Sequence, residues 1–110
     1  MSPAEIVQAQ LDTYNAQDLD AFCALFAEDC VIADLNGAVT QRGQSDLRAR
    51  YGAMFAQYPQ NQAEIIHRMV MGDVVIDHER VHRSADLSFE AIAIYTIKNG
   101  RIARCDFVRS

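Results

Sequence analysis

Asp34 lies between Ala33 and Leu35 in the short apolar run Cys30-Val31-Ile32-Ala33-Asp34-Leu35, which closes on Asn36-Gly37. On a strand it would share a face with Ile32, either pointing into an apolar hollow or standing solvated at the strand end. In a hollow, desolvation would lift its pKa above the usual value of about 4 and make it a useful base. His78 is the second candidate, because Val74, Ile76 and His78 alternate on one side of a β-rich segment. An imidazole near Asp34 would complete an acid/base pair titrating near neutrality. The alternative is an edge histidine bonded to backbone, and for His67, between Ile66 and Arg68, the structural role is favoured.

The string His78-Glu79-Arg80-Val81-His82 matches H-E-x-x-H. That zinc chemistry requires a helix, where residues four apart stand one above the other. The flanks here, Gly72 and Val74-Val75-Ile76, are strand-like. On a strand, positions four apart lie about 13 Å from each other, against metal–ligand bonds of about 2 Å. No metal site is expected, and no nucleophilic triad, phosphate loop or dinucleotide fingerprint occurs.

The elements that must position these residues follow from pattern and punctuation. Ser2-Pro3-Ala4-Glu5 is a capping-box start, followed by Ile6, Val7, Leu11 and Tyr14 at helical spacing. Asp18 caps a second helix with Leu19, Phe22, Cys23, Leu25 and Phe26 inward. Residues 30–35 form a strand ended by the Asn36-Gly37 turn. Gly43 and Ser45 open a third helix carrying Leu47, Tyr51, Met54, Phe55 and Tyr58, which Pro59 ends. Strands are expected at about 63–71, 74–82, 87–97 and 101–109, with tight turns at Gly72-Asp73 and Asn99-Gly100.

A chain of 110 residues is one domain, residues 1–110. Its net charge of −5 argues against a nucleic-acid footprint. The arginines at 42, 48, 50, 101, 104 and 109 read as scattered and solvated. No apolar run approaches the roughly 20 residues of a membrane span, so no membrane partner is expected. The N-terminus lacks the features of a signal peptide. Cys23, Cys30 and Cys105 are odd in number and widely spaced, which fits reduced thiols in a cytoplasmic protein.

The block Asn15-Ala16-Gln17-Asp18-Leu19-Asp20, then Leu25-Phe26-Ala27-Glu28-Asp29 before a strand, and the Lys98-Asn99-Gly100-Arg101-Ile102 hairpin resemble the nuclear transport factor 2-like superfamily. That superfamily includes SnoaL-like polyketide cyclases and ketosteroid isomerase. The resemblance implies an α+β, cystatin-like cone: a curved mixed or antiparallel sheet wrapped over three helices, with a cavity between the layers. It implies a general-base role for Asp34 and a cavity-facing His78. Ketosteroid isomerase adds an oxyanion hole made of a Tyr and a protonated Asp. The matching positions here hold Gln10 and Ala93, while Tyr14 sits one helical turn further on. Losing one oxyanion donor typically costs about 2.7–4 kcal/mol of transition-state stabilisation, so steroid isomerisation is not expected.

The same resemblance turns Ala93, Tyr95, Cys105, Phe107 and Arg109 toward the cavity. Tyr51, Phe55, Gln10 and Tyr14 complete the candidate ligand contacts, with core packing the default for Phe55, Tyr51, Phe107 and Cys105. Two functions stay open. One is a cofactor-free isomerase, cyclase or hydrolase using Asp34 on a small hydrophobic molecule. The other is a non-catalytic ligand-binding or protein-interaction module. A homodimer is expected through the outer sheet face, built from Ile66, Val70, Val75, Ile92 and Ile94.

Overall fold

A computed structural model describes residues 1–109. Helix α1 (Pro3–Ala16) begins on the expected capping box: the Ser2 hydroxyl accepts from the Glu5 amide at 3.2 Å, and the Glu5 carboxylate accepts from the Ser2 amide at 2.9 Å. Gln17, in the left-handed region at φ 56°, ends it. Asp18 then caps α2 (Leu19–Ala24), accepting from the Ala21 amide.

The helix stops two residues earlier than its apolar pattern suggests. Strand β1 (Phe26–Asp34) starts at Phe26, because the Ile102 amide takes the Leu25 carbonyl at 2.9 Å and pairs that backbone into the sheet. Strand β2 (Val39–Arg42) returns across the Asn36-Gly37 turn and leads into α3 (Gly43–Gln57). Gly43, at φ +76°, makes that corner, and the Asp46 carboxylate accepts the Arg42 amide at 2.9 Å.

Strands β3 (Gln62–Met71), β4 (Val74–Ser84), β5 (Leu87–Lys98) and β6 (Arg101–Arg109) follow within two residues of the expected spans. The sheet order is β2-β1-β6-β5-β4-β3. Only β1–β6 is parallel, and the curved sheet does not close. The α+β architecture anticipated from the sequence is therefore present.

All three helices lie on one face, where Ile6, Val7, Phe22, Phe26, Ile32, Leu47 and Ile102 are fully buried. Each such side chain contributes roughly 1.5–3 kcal/mol of apolar transfer. Tyr14, Phe22, Tyr51 and Phe55 form an aromatic cluster with centroids 4.7–6.3 Å apart. Asn15 locks α1 to β3 by exchanging two hydrogen bonds with the Ala63 backbone, at 2.9 and 2.8 Å. Cys23, Cys30 and Cys105 are buried free thiols. No helix among the described residues is long and apolar enough to cross a membrane.

Candidate active site

Between α1, α3 and the concave face of β4, β5 and β6 lies a small cavity of about 50 Å³. From α1 it receives Gln10, Leu11 and Tyr14; from α3, Arg50, Tyr51 and Met54. The sheet supplies Gln41, Glu79, Val81, Arg83, Phe89, Ala91, Tyr95, Phe107 and Arg109. This space admits about four water molecules, at some 10–15 Å³ each.

Glu79 is the acidic residue in its lining. Opposite it on β5 stands Ala91, whose methyl leaves the carboxylate room. The Glu79 carboxylate has no hydrogen bond or ion pair to any described residue. Burial, joined by the like charge of Asp77, pushes its pKa up from 4.5 to about 7, against the pull of Arg109 and Arg83. Asp77, two residues back on the same face, is fully buried and held bidentately by Arg68 at 2.6 and 2.9 Å.

Phenols and amides surround the carboxylate. Tyr95 donates to Gln10 Oε1 at 3.3 Å, and Tyr14 Oη accepts from Arg83 Nη1 at 3.0 Å. The Tyr51 hydroxyl has no partner among the described residues. Burial raises the pKa of all three phenols, which keeps them protonated donors at neutral pH. Gln41 contributes a buried amide oxygen without a partner.

The expected residues fall into three groups. Gln10, Tyr14, Tyr51, Tyr95 and Phe107 line the cavity, and so does Arg109. Phe55, Ala93 and Cys105 do not. Phe55 is buried in the aromatic cluster, and Ala93 and Cys105 are buried in the sheet floor. The third group is the acid/base pair, which the structure separates.

Asp34 stands opposite Phe107 in the β1–β6 ladder and is the last residue of β1. Its side chain is 53% exposed at the rim, where it accepts from Arg109 Nη1 at 3.3 Å. It borders a shallow groove outside the cavity, not an apolar hollow. His78 lies on the opposite, outer face of β4, bonded to Glu90 at 2.6 Å and stacked on His67 with centroids 5.9 Å apart.

The physical reason for His78 is a register shift. A plain two-residue hairpin after Ser84, continuing from the pair Ser84↔Leu87, would place His78 and Ile76 opposite Ala93 and Tyr95. An irregularity between His82 and Ser84 slides the pairing by one residue, so Asp77 meets Ala93 and Glu79 meets Ala91. Val75 turns inward for the same reason and is fully buried, not part of the outer face. The H-E-x-x-H string is on a strand, as expected, and the described residues contain no cluster of three or more groups able to hold a metal.

Against protein-family models, residues 7–105 match the SnoaL-like domain. The chain belongs to the SnoaL-like family. Among solved structures, this SnoaL-like chain is similar to an uncharacterised cystatin-fold protein from Novosphingobium aromaticivorans, at 32% identity and TM-score 0.93 over 99% of both chains. It is also similar to a candidate polyketide cyclase from Sinorhizobium meliloti, at 28% identity and TM-score 0.81 over 94% of each chain. A candidate ketosteroid isomerase from Kribbella flavida shares the fold at 16% identity and TM-score 0.83, over 98% of this chain and 77% of that one. No curated protein matches significantly.

Proposed function

We propose that this SnoaL-like protein is a cofactor-free acid/base enzyme in which Glu79 moves a proton on a small carbonyl compound. The observation that carries this reading is the Glu79 carboxylate itself: in the cavity lining, without a partner among the described residues, and with a pKa pushed up to about 7. A base is most effective when its pKa lies near the working pH. Glu79 would take a proton from the carbon beside the carbonyl. The electron pair left behind moves onto the carbonyl oxygen, where the unpaired Tyr51 hydroxyl is available to donate a hydrogen bond. The proton then returns from Glu79 to the far carbon of a conjugated enolate, or the enolate carbon closes onto a second carbonyl carbon in the same molecule and the proton passes from Glu79 to the alkoxide oxygen so formed. The substrate supplies its own electron sink, so no cofactor is required.

In this proposal the base role expected of Asp34 passes to Glu79. Asp34 instead holds Arg109 at the mouth. The test is deuterium exchange at the α-carbon of a small cyclic ketone in D2O, followed by proton NMR. Wild type exchanges faster than buffer and Glu79→Gln does not; equal rates for the two proteins would refute the assignment.

The cavity size favours a second reading, a non-catalytic binding module. A volume of about 50 Å³ suits a molecule of few heavy atoms, far smaller than a steroid. In that case the ketone binds and shields its α-protons without exchange above buffer.

We also propose a homodimer through the outer sheet face. Met69, Ile76 and Ile94 stand side by side across β3, β4 and β5, next to the row Ile92 and Val108. Met69 is 64% and Val108 41% exposed, an apolar surface that a second copy would cover. Sedimentation at micromolar concentration giving only a 12.3 kDa species would exclude it.

A further inference from the structure

We infer that the cavity is built to take a small organic anion, a carboxylate on a short apolar body, with Arg83 as its internal counter-ion. This rests on the reading of the cavity as a ligand site, but not on Glu79 being a catalyst.

The charge inventory carries the argument. The chain as a whole bears −5, yet the cavity lining gathers Arg50, Arg83 and Arg109 against the single carboxylate of Glu79. Three elements, α3, β4 and β6, each contribute one guanidinium to the same small space. A concave site lined by one sign of charge raises the local concentration of the opposite ion.

Arg83 is the decisive member. Its Nη1 donates to Tyr14 Oη at 3.0 Å and to Asn61 Oδ1 at 2.9 Å, both uncharged acceptors. Its guanidinium lies 5.2 Å from the Phe89 ring centroid and 5.7 Å from that of Tyr58, which fix its plane. It forms no ion pair among the described residues, and Nε and Nη2 have no described acceptor. A half-buried guanidinium without a counter-ion is costly, and its remaining fork fits a carboxylate bidentately. Arg68, by contrast, is already taken up by Asp77.

The mouth repeats the pattern. Arg109 is stacked on Phe107 at 4.5 Å and only loosely held by Asp34 at 3.3 Å, while Arg50 has no described hydrogen bond or ion pair. An entering anion thus meets Arg50 and Arg109 at the rim and Arg83 inside. Phe89, Phe107 and Val81 provide the apolar wall for its body.

Anion binding is then coupled to the proton on Glu79. The groups facing Glu79 are Asp77 and Arg83 on β4, Arg109 and Cys105 on β6, Tyr95 on β5, Tyr14 on α1 and Tyr51 on α3. Burial raises the pKa of Cys105 and of the three tyrosines, so these groups stay uncharged near neutrality. A ligand carboxylate beside Glu79 favours its protonated form, so affinity for the anion falls as pH rises through about 7.

Isothermal titration of the full chain with pyruvate and pyruvamide, and with acetate and acetamide, tests this, because each pair differs mainly in charge. The expected result is at least tenfold tighter binding of one carboxylate than of its amide, weakening between pH 6 and pH 8. Arg83→Gln loses at least tenfold for that carboxylate and leaves the amide within twofold; Arg83→Lys recovers part of the loss. Should Arg83→Gln fail to fold, the rim pair Arg50→Gln with Arg109→Gln supplies the same comparison. Equal affinity for acid and amide, or no binding of either acid, overturns the inference. The two readings fail separately. Charge-selective binding without α-proton exchange removes the enzyme and keeps the anion site. Exchange of a neutral ketone without preference for acids does the reverse.

Discussion

Replacing Glu79 with Gln should make the protein more stable at alkaline pH and leave acid stability almost unchanged. In the folded chain the carboxyl titrates at about 7, compared with 4.5 when unfolded and solvated. At about 1.36 kcal/mol per pKa unit, this rise corresponds to roughly 3 kcal/mol. The sign follows from linkage: a folded pKa above the unfolded one gives a contribution that is complete below pH 4.5 and lost as pH rises through 7. Glutamine keeps the shape and never ionises, so it escapes that loss. Urea unfolding of both proteins at pH 5, 6, 7 and 8.5 measures the effect. The advantage of the Gln variant should be small at pH 5, climb through neutrality, and level off near 3 kcal/mol. With a urea m-value of about 1–3 kcal/mol/M, that is a midpoint shift of roughly 1–3 M. A stability difference that stays constant from pH 5 to 8.5, or that grows toward acid, would refute the claim that this carboxylate is desolvated.

Asp77→Asn removes one partner of a buried bidentate pair and should cost about 3–5 kcal/mol in urea unfolding. It also deletes the negative neighbour of Glu79, so in carboxyl NMR the Glu79 midpoint should move below 7. His78→Ala, on the outer face, should leave α-proton exchange within twofold of wild type; a loss near the usual 10²-fold for an acid/base group would restore the histidine to the site. Ile94→Lys places a charge in the centre of the outer apolar row and should convert a dimer to a 12.3 kDa species in sedimentation, with ketone exchange kept. Asn15→Ala gives up both hydrogen bonds between α1 and β3 and should cost about 1–3 kcal/mol in the same unfolding assay.

The fold could be read from local signals because most of them are local in origin. Ser2 and Asp18 cap their helices through hydrogen bonds to residues three positions on, and Asn99-Gly100 turns a hairpin, wherever else the chain goes. On β5 the resemblance turned Ala93 and Tyr95 inward, and both are buried there. On β4 the alternation of Val74, Ile76 and His78 marked the side that faces out. The residues facing inside are Val75, Asp77, Glu79, Val81 and Arg83, three of them charged, whereas Val74 and Ile76 face out. Polarity mislabels a strand wherever function requires charge in the interior. One inserted residue near His82 sets the phase, and only the pairing with β5 exposes it. For Asp34 the sequence left a hollow and a solvated strand end both open, and the choice depends on how far β1 runs beside β6.

The parallel ladder between β1 and β6 has a bearing on how this domain comes together. The strand that follows all the others in chain order lies in the middle of the sheet, flanked by one strand from each half of the sequence. Until it arrives, the amino-terminal helices with their small hairpin and the β3–β5 meander are two pieces with open edges facing one another. The seam closes only when β6 slots between them, a long-range step that slows assembly and leaves both edges exposed to other chains in the meantime. Shortening the domain at that end would therefore not trim a border; it would unzip the sheet through its centre.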